Sequence, residues 1–168
     1  MSFEIKKVAV LGTGVMGGQI AAHLSNAKIP VLAYDIDQET AEKGIKASQE
    51  IKPAAFYNKK TAELITPLNY NDHISRIAEC DWIIEAISER IDWKKDLYNK
   101  VSENLSDNSV LTSNTSGISL EELSEDMSDG LKNRFFITHF FNPPRYMKLV
   151  EIIAPIDVNE ELLNTVVN

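Results

Sequence analysis

Lysine and arginine are the scarce charges in this chain: 17 against 25 aspartates and glutamates over 168 residues, for a formal net charge of -8. No run of cations exceeds a pair such as Lys59-Lys60 or Lys94-Lys95, which argues against nucleic acid or an anionic membrane as the main partner. There is one cysteine, Cys80, so an internal disulfide is impossible and a reducing, cytoplasmic setting is expected. Long apolar runs are missing as well. No stretch approaches the roughly 20 apolar residues of a membrane span, and the opening "MSFEIKK" meets charge before any apolar segment, unlike a secretory leader. The histidines and the cysteine lack zinc or iron ligand spacing, so no metal is expected. With 43% hydrophobic and 25% charged residues, and no repeat or low-complexity linker, what remains is one globular domain over residues 1–168.

The pattern along the chain is alternating. "KKVAVLG" is a β-branched run ending in glycine and reads as a strand buried on both faces. "VMGGQIAAHLSNAK" then sets Met16, Ile20, Ala21 and Leu24 at helical spacing, and "IPVLAYDID" is a second buried strand ending on Asp35. "DWIIEAI", "SVLTSNTS", "RFFITHF" and "KLVEIIA" read as further strands, separated by helical patterns at Thr40 to Glu50, Trp93 to Asn104 and Leu120 to Glu125. Such alternation predicts an α/β fold, a doubly wound and mostly parallel sheet, with the last strands open to antiparallel pairing. Residues Ile51 to Asp72 interrupt it. Pro53 ends the second helix, and "FYNKKTAELITPLNY" reads as a helical excursion followed by an edge segment. Near the end, Asn159 caps an acidic first turn with an apolar face, so a helix is expected to open near 159 and the chain looks like a piece of something longer.

Gly12-Thr13-Gly14-Val15-Met16-Gly17 follows the first strand and opens the first helix. In that context G-x-G-x-x-G is a phosphate cradle. The first glycine permits the tight turn, the second admits a pyrophosphate to the backbone, and the third lets helix and strand pack closely. Asp35, eighteen residues after Gly17, can accept the ribose hydroxyls of an adenosine. "DIDQET" offers no arginine for a 2′-phosphate, so NAD is expected rather than NADP; a flavin is the minor alternative.

Ligands in an open doubly wound sheet sit beyond the carboxyl ends of the strands. There the sequence puts Glu85 and Glu89, Ser113-Asn114-Thr115-Ser116, and His139 with Asn142. His139 beside two phenylalanines reads either as packing or as the base that hydride transfer from an alcohol requires. Glu151, in an apolar strand, needs a partner if buried. It can pair with His139 and fix its tautomer if Pro143-Pro144 turn the chain back on itself. His23 reads as packing or surface and His73 as loop.

"AVLGTGVMGGQIAAHL", "DWIIEAISER", "TSNTSGISL" and "THFFNPPRYMKLVEII" together resemble the NAD-binding domain of L-3-hydroxyacyl-CoA dehydrogenases, with details closest to bacterial multifunctional proteins that carry an enoyl-CoA hydratase-type domain. The resemblance implies a Rossmann-like fold, NAD as cofactor and oxidation of L-3-hydroxyacyl-CoA to 3-ketoacyl-CoA in fatty acid β-oxidation. It makes His139 the catalytic base and Glu151 its orienting acid. It places Ser116 at the substrate hydroxyl, Asn142 at the nicotinamide end, and Glu89 and Lys94 at the cofactor riboses. Ser48 falls where the family touches coenzyme A, and Lys52, Lys59 or Lys60 could meet its phosphates. The resemblance further implies a C-terminal helical domain, absent from these 168 residues, that closes over the acyl-CoA and builds a homo-oligomer. A β-hydroxyacid or short-chain hydroxybutyryl-CoA dehydrogenase, and a non-catalytic NAD-binding module, are the rival readings.

Overall fold

Val8 to Leu11 are fully buried, as a strand without polar alternation must be when both faces of its sheet are covered. The computed structural model describes residues 3–168. Its elements are β1 (Val8–Leu11), α1 (Val15–Asn26), β2 (Val31–Asp35), α2 (Gln38–Glu50), a 3-10 turn (Lys59–Leu64), β3 (Ile65–Asn69), α3 (Tyr70–His73) and a second 3-10 turn (Ile74–Glu79). There follow β4 (Trp82–Glu85), α4 (Ile91–Ser102), β5 (Val110–Ser113), α5 (Leu120–Ser124), α6 (Asp129–Lys132), β6 (Phe135–Phe140), β7 (Val150–Ile153) and α7 (Glu160–Val167). The strands form one sheet in the order β3-β2-β1-β4-β5-β6-β7. All neighbours are parallel except β6 and β7.

Period-2 alternation divides the strand side chains between two cores. Val8, Val10, Val31, Ala33, Ile84, Val110 and Phe136 pack toward Ile20 and Leu24 of α1, Ile45 of α2 and Leu162 of α7. Ala9, Leu11, Leu32, Tyr34, Ile83, Leu111 and Phe135 pack toward Leu97, Tyr98 and Val101 of α4 and Leu123 of α5. The interruption after α2 resolves as the expected excursion: the 3-10 turn, then β3 as an edge strand parallel to β2. The segment past Asp126 contains the short α6. Asn159 caps α7, its Oδ1 accepting the amides of Glu161 at 3.1 Å and Leu162 at 3.2 Å.

From β1 the chain winds one way to β2 and β3, and from β4 the other way to β5 and β6. The crevice between the carboxyl ends of β1 and β4 is therefore the topological switch point, where such sheets bind their ligands.

Candidate active site

A cleft of about 590 Å³ opens at that switch point, and its walls include Gly12, Gly14, Asp35, Glu89, Ser116 and His139. The glycine turn forms its floor. Gly12 has φ of 96°, a left-handed conformation that suits glycine, and its N–H donates to the Tyr34 carbonyl at 2.8 Å. A Cβ at Gly17 would overlap the Gly12 carbonyl, so the helix can approach the strand end only with glycine there. Over Gly14 nothing lies within 4 Å of a built Cβ, which leaves the backbone open to a ligand. The first turn of α1 has no acidic residue and no side-chain cap, and its free amides suit an anion. Val15 and Met16 line the cleft with these glycines.

Thr13 is engaged with the acid of the second strand. It is buried, and its amide and hydroxyl donate to Asp35 Oδ2 at 2.7 and 2.6 Å. Thr13 thereby grips the carboxylate at the edge of the cradle. The Ile36 amide donates to the other oxygen at 2.8 Å. Asp35 is held at the cleft wall at the end of β2, where its remaining lone pairs fit ribose hydroxyls. The residues present therefore suit a dinucleotide: open backbone for the phosphates and a fixed acid for the ribose.

The opposite wall rests on a buried carboxylate. Glu85, at the end of β4, is 0% exposed. It accepts from Lys94 Nζ and the Ile87 amide on one oxygen, both at 2.7 Å, and from the Tyr98 and Ser113 hydroxyls on the other, both at 2.6 Å. Lys94 is 1% exposed and its ammonium lies 3.6 Å from Glu89 Oε2. Lys94 thus stands behind the wall, pairing with Glu85 and lying close to Glu89. Glu89 does face the cleft. It accepts from the Thr115 hydroxyl at 2.8 Å, the Ser116 amide at 2.7 Å and the Ser116 hydroxyl at 3.3 Å. Partial burial opposes its ionisation, but the Ser116 amide, the Thr115 hydroxyl and the Lys94 charge outweigh that and hold its carboxyl below the usual range.

The third wall comes from β6. His139 and Glu151 are register partners in the antiparallel β6–β7 ladder, and Nδ1 lies 2.8 Å from Glu151 Oε2. The carboxylate accepts, so Nδ1 carries the proton and Nε2 is left as the basic nitrogen. The His139 side chain is 20% exposed and that of Glu151 is 53% exposed. The buried acid expected at 151 is accordingly an exposed one, because β7 is the edge strand of the sheet. Phe141 packs on the imidazole with ring centres 4.8 Å apart. Asn142 lines the cleft beside it, its Oδ1 accepting from Gln19 Nε2 at 3.1 Å.

Ser116 also lines the cleft. Ser48 does not: it is 5% exposed, its hydroxyl donates to the Ile45 carbonyl, and its Cβ faces Gly18 across the α1–α2 contact. That packing keeps its hydroxyl inside the α1–α2 contact. Lys52, Lys59 and Lys60 are exposed on the excursion.

Three further positions support the site; Asn114 belongs to the strand-end run expected from the sequence, whereas Gly44 and Gln19 do not. Gly44 lets α2 approach the cradle, since a Cβ there would overlap Thr13. Asn114 ties three strand ends together, its amide donating to the Glu85 carbonyl at 2.7 Å and its Oδ1 accepting the Phe140 amide at 2.8 Å. Gln19 reaches Asn142 from α1. The "SNTS" run hinted at Asn114; neither of the others has a local signal.

A cleft with a phosphate floor, a ribose acid on one side and an oriented imidazole on the other defines a dinucleotide-binding domain of the oxidoreductase kind. More narrowly, the chain belongs to the family described as "3-hydroxyacyl-CoA dehydrogenase, NAD binding domain", which matches residues 7–168. A probable 3-hydroxyacyl-CoA dehydrogenase of Bacillus subtilis is 42% identical over 97% of this chain and 23% of that protein. One of Deinococcus radiodurans is 42% identical over 89% of this chain and 45% of that protein. The structure of 3-hydroxybutyryl-CoA dehydrogenase from Escherichia coli superposes with a TM-score of 0.81 at 29% identity, covering 96% of this chain and 35% of that one. The chain thus spans under half the length of these relatives, and the cofactor of its family is NAD.

Proposed function

We propose that this domain, within a longer polypeptide, carries out NAD-dependent oxidation of an L-3-hydroxyacyl-CoA to the 3-ketoacyl-CoA, a step of fatty acid β-oxidation. The observation that carries this reading is the 2.8 Å His139–Glu151 pair on the same cleft as the glycine cradle. Relatives named 3-hydroxyacyl-CoA dehydrogenase and, in Rickettsia felis, putative fatty acid oxidation complex trifunctional enzyme support the substrate class.

His139 Nε2 takes the proton of the substrate hydroxyl as the adjacent C–H bond breaks. Glu151 accepts the Nδ1 proton, holds the ring and stabilises the imidazolium that forms. Bound NAD supplies the hydride acceptor. Ser116 and Asn142 position the reacting end, Asp35 holds the adenosine ribose, and Glu89 meets a ribose from the far wall while keeping the Ser116 loop in place. The exposed lysines of the excursion, Lys52, Lys59 and Lys60, meet the coenzyme A phosphates on this reading. The greater length of the relatives supports a further domain in the longer polypeptide; on this reading it is helical, closes over the acyl chain and mediates a homo-oligomer.

The test has two parts. Calorimetry with NADH on the 168-residue chain is expected to give saturable binding, weakened by Asp35→Ala; no uptake by folded protein overturns the cofactor claim. Consumption of NADH with a series of 3-ketoacyl-CoA chain lengths, in the full-length polypeptide, is expected to show turnover. The fold similarity to a 3-hydroxybutyryl-CoA dehydrogenase favours a second reading, a short-chain enzyme, which predicts activity confined to the four-carbon thioester.

A further inference from the structure

The turn that joins the strand of His139 to the strand of Glu151 is fastened to a distant part of the chain. Residues 141–149 leave β6 and return as β7, folded so that the Tyr146 and Met147 amides both donate to the Pro143 carbonyl at 3.0 Å. From this turn Arg145 reaches the start of the excursion, where its Nη1 donates to the Ala54 carbonyl at 2.7 Å and the Phe56 carbonyl at 2.8 Å. The Tyr146 hydroxyl donates to the same Ala54 carbonyl at 3.0 Å. The guanidinium carbon lies 4.6 Å from the centre of the Tyr57 ring and 5.1 Å from that of Tyr146. Burial, and after it the Arg145 charge, hold the His23 imidazole of α1 below its ordinary pKa, so the neighbouring ring stays neutral.

The two sides of this fastening differ in rigidity. On the excursion side, buried Asn26 of α1 donates to the Ala55 carbonyl at 2.8 Å and accepts the Tyr57 amide at 2.8 Å and the Thr61 hydroxyl at 3.3 Å, and Ala55 and Phe56 are themselves buried. On the turn side Tyr146, Met147 and Leu149 are exposed and lead into an edge strand. A rigid anchor therefore holds an exposed turn, and that turn begins at the cleft with Asn142.

We infer that Arg145 is a positioning residue for the reactive end of the cleft: it fixes the 141–149 turn against Ala54 and Phe56, and so sets where Asn142 and the His139–Glu151 hairpin stand relative to the glycine cradle. The kinetic consequence rests on the dehydrogenase reading above, whereas the fastening does not. Arginine suits the place because it brings two N–H groups on one nitrogen and a flat face for the tyrosines; lysine supplies the donors and the charge without the face.

Amide exchange and kinetics on Arg145→Met test this. In the 168-residue chain, exchange at Tyr146 and Met147 is expected to quicken about tenfold or more while amides of β1 and β4 keep their protection and NADH affinity changes less than about twofold. In the full-length polypeptide, kcat for acetoacetyl-CoA reduction is expected to fall about tenfold with KM for NADH unchanged, and Arg145→Lys to recover part of the loss. Tyr146→Phe, which removes one bond only, is expected to repeat both effects at smaller amplitude and serves if Arg145→Met does not fold. Unchanged exchange in the turn overturns the proposal. So does faster exchange with kcat within about twofold of wild type, or a general loss of protection across the sheet. Absence of turnover by the unmodified protein with every 3-ketoacyl-CoA would count against the dehydrogenase reading alone, and the exchange measurement still decides on Arg145.

Discussion

His139 carries the proposed chemistry, and its environment separates two roles that one substitution can distinguish. Nδ1 is engaged with Glu151 at 2.8 Å, so in the proposed reaction the partner acts through orientation and charge and Nε2 is the nitrogen offered to the substrate. His139→Ala is expected to lower kcat by roughly 10²–10⁴-fold in the full-length polypeptide with NADH affinity preserved. Glu151→Gln, which keeps the shape but removes the charge, is expected to lose less; steady-state kinetics with parallel NADH titration checks both, and unchanged turnover for His139→Ala removes it from the mechanism. Lys94 provides the contrasting case of a buried residue paired with a buried carboxylate. Replacing it with Met strips Glu85 of its ammonium partner in a site that is fully buried, and breaking such a pair costs about 3–5 kcal/mol. Urea unfolding of Lys94→Met reads that loss, and a midpoint near that of wild type would show that Glu85 is protonated or hydrated instead.

At the scale of elements, the cradle depends on how closely α2 packs beneath it. Gly44 sits in α2 directly against Thr13, and Thr13 in turn grips Asp35. Gly44→Ala is expected to cost about 1–3 kcal/mol through overpacking and to weaken NADH binding, because the displaced Thr13 moves the ribose acid. Gly130→Ala in α6, where a Cβ meets nothing within 4 Å, is the control and is expected to leave both melting temperature and NADH affinity near wild type. Equal behaviour of the two variants would break the link between helix packing and the cradle. The strands and long helices were legible because each carries its own period, 2 or 3.6, in its apolar residues. Gly44 was not, since in sequence it is merely a glycine inside a helical pattern, and its meaning lies in a loop thirty residues earlier.

Over the whole molecule the acidic charge is organised against cations and amides. Hydrogen bonds from Arg76 and Lys7 hold the Glu79 carboxyl down to about 2. Hydrogen bonds from the Thr40 amide and hydroxyl lower Asp37, and Glu89 is lowered through the Ser116 loop. A depressed folded-state pKa stabilises fully above the ordinary carboxylate range and is lost as pH falls through the lowered value. The urea midpoint is thus expected to decline gently below about pH 6.5, where the unfolded chain protonates His23 before the folded one does, and more steeply below about pH 4.5 as the carboxylates protonate. Salt should blunt the share contributed by the exposed pairs. A midpoint unchanged between pH 6 and pH 3, approximately the window these groups define, would contradict the sign.

What the sequence determined by itself follows from rules of short range. The glycine turn needs only its own backbone and a strand before it, Asp35 needs only the end of the next strand, and apolar periodicity orders the elements. Their register across the sheet follows from no such local rule. In sequence, the pairing of His139 with Glu151 depends on a chain reversal at Pro143-Pro144, and only the antiparallel ladder decides it. Tertiary structure also decided which polar residues face the cleft: Lys94, Thr13 and Ser48 share the sequence character of site residues, yet each is buried against a partner from another element. Burial is set by what packs from far along the chain, and the chemistry left in the cleft is what that packing leaves exposed.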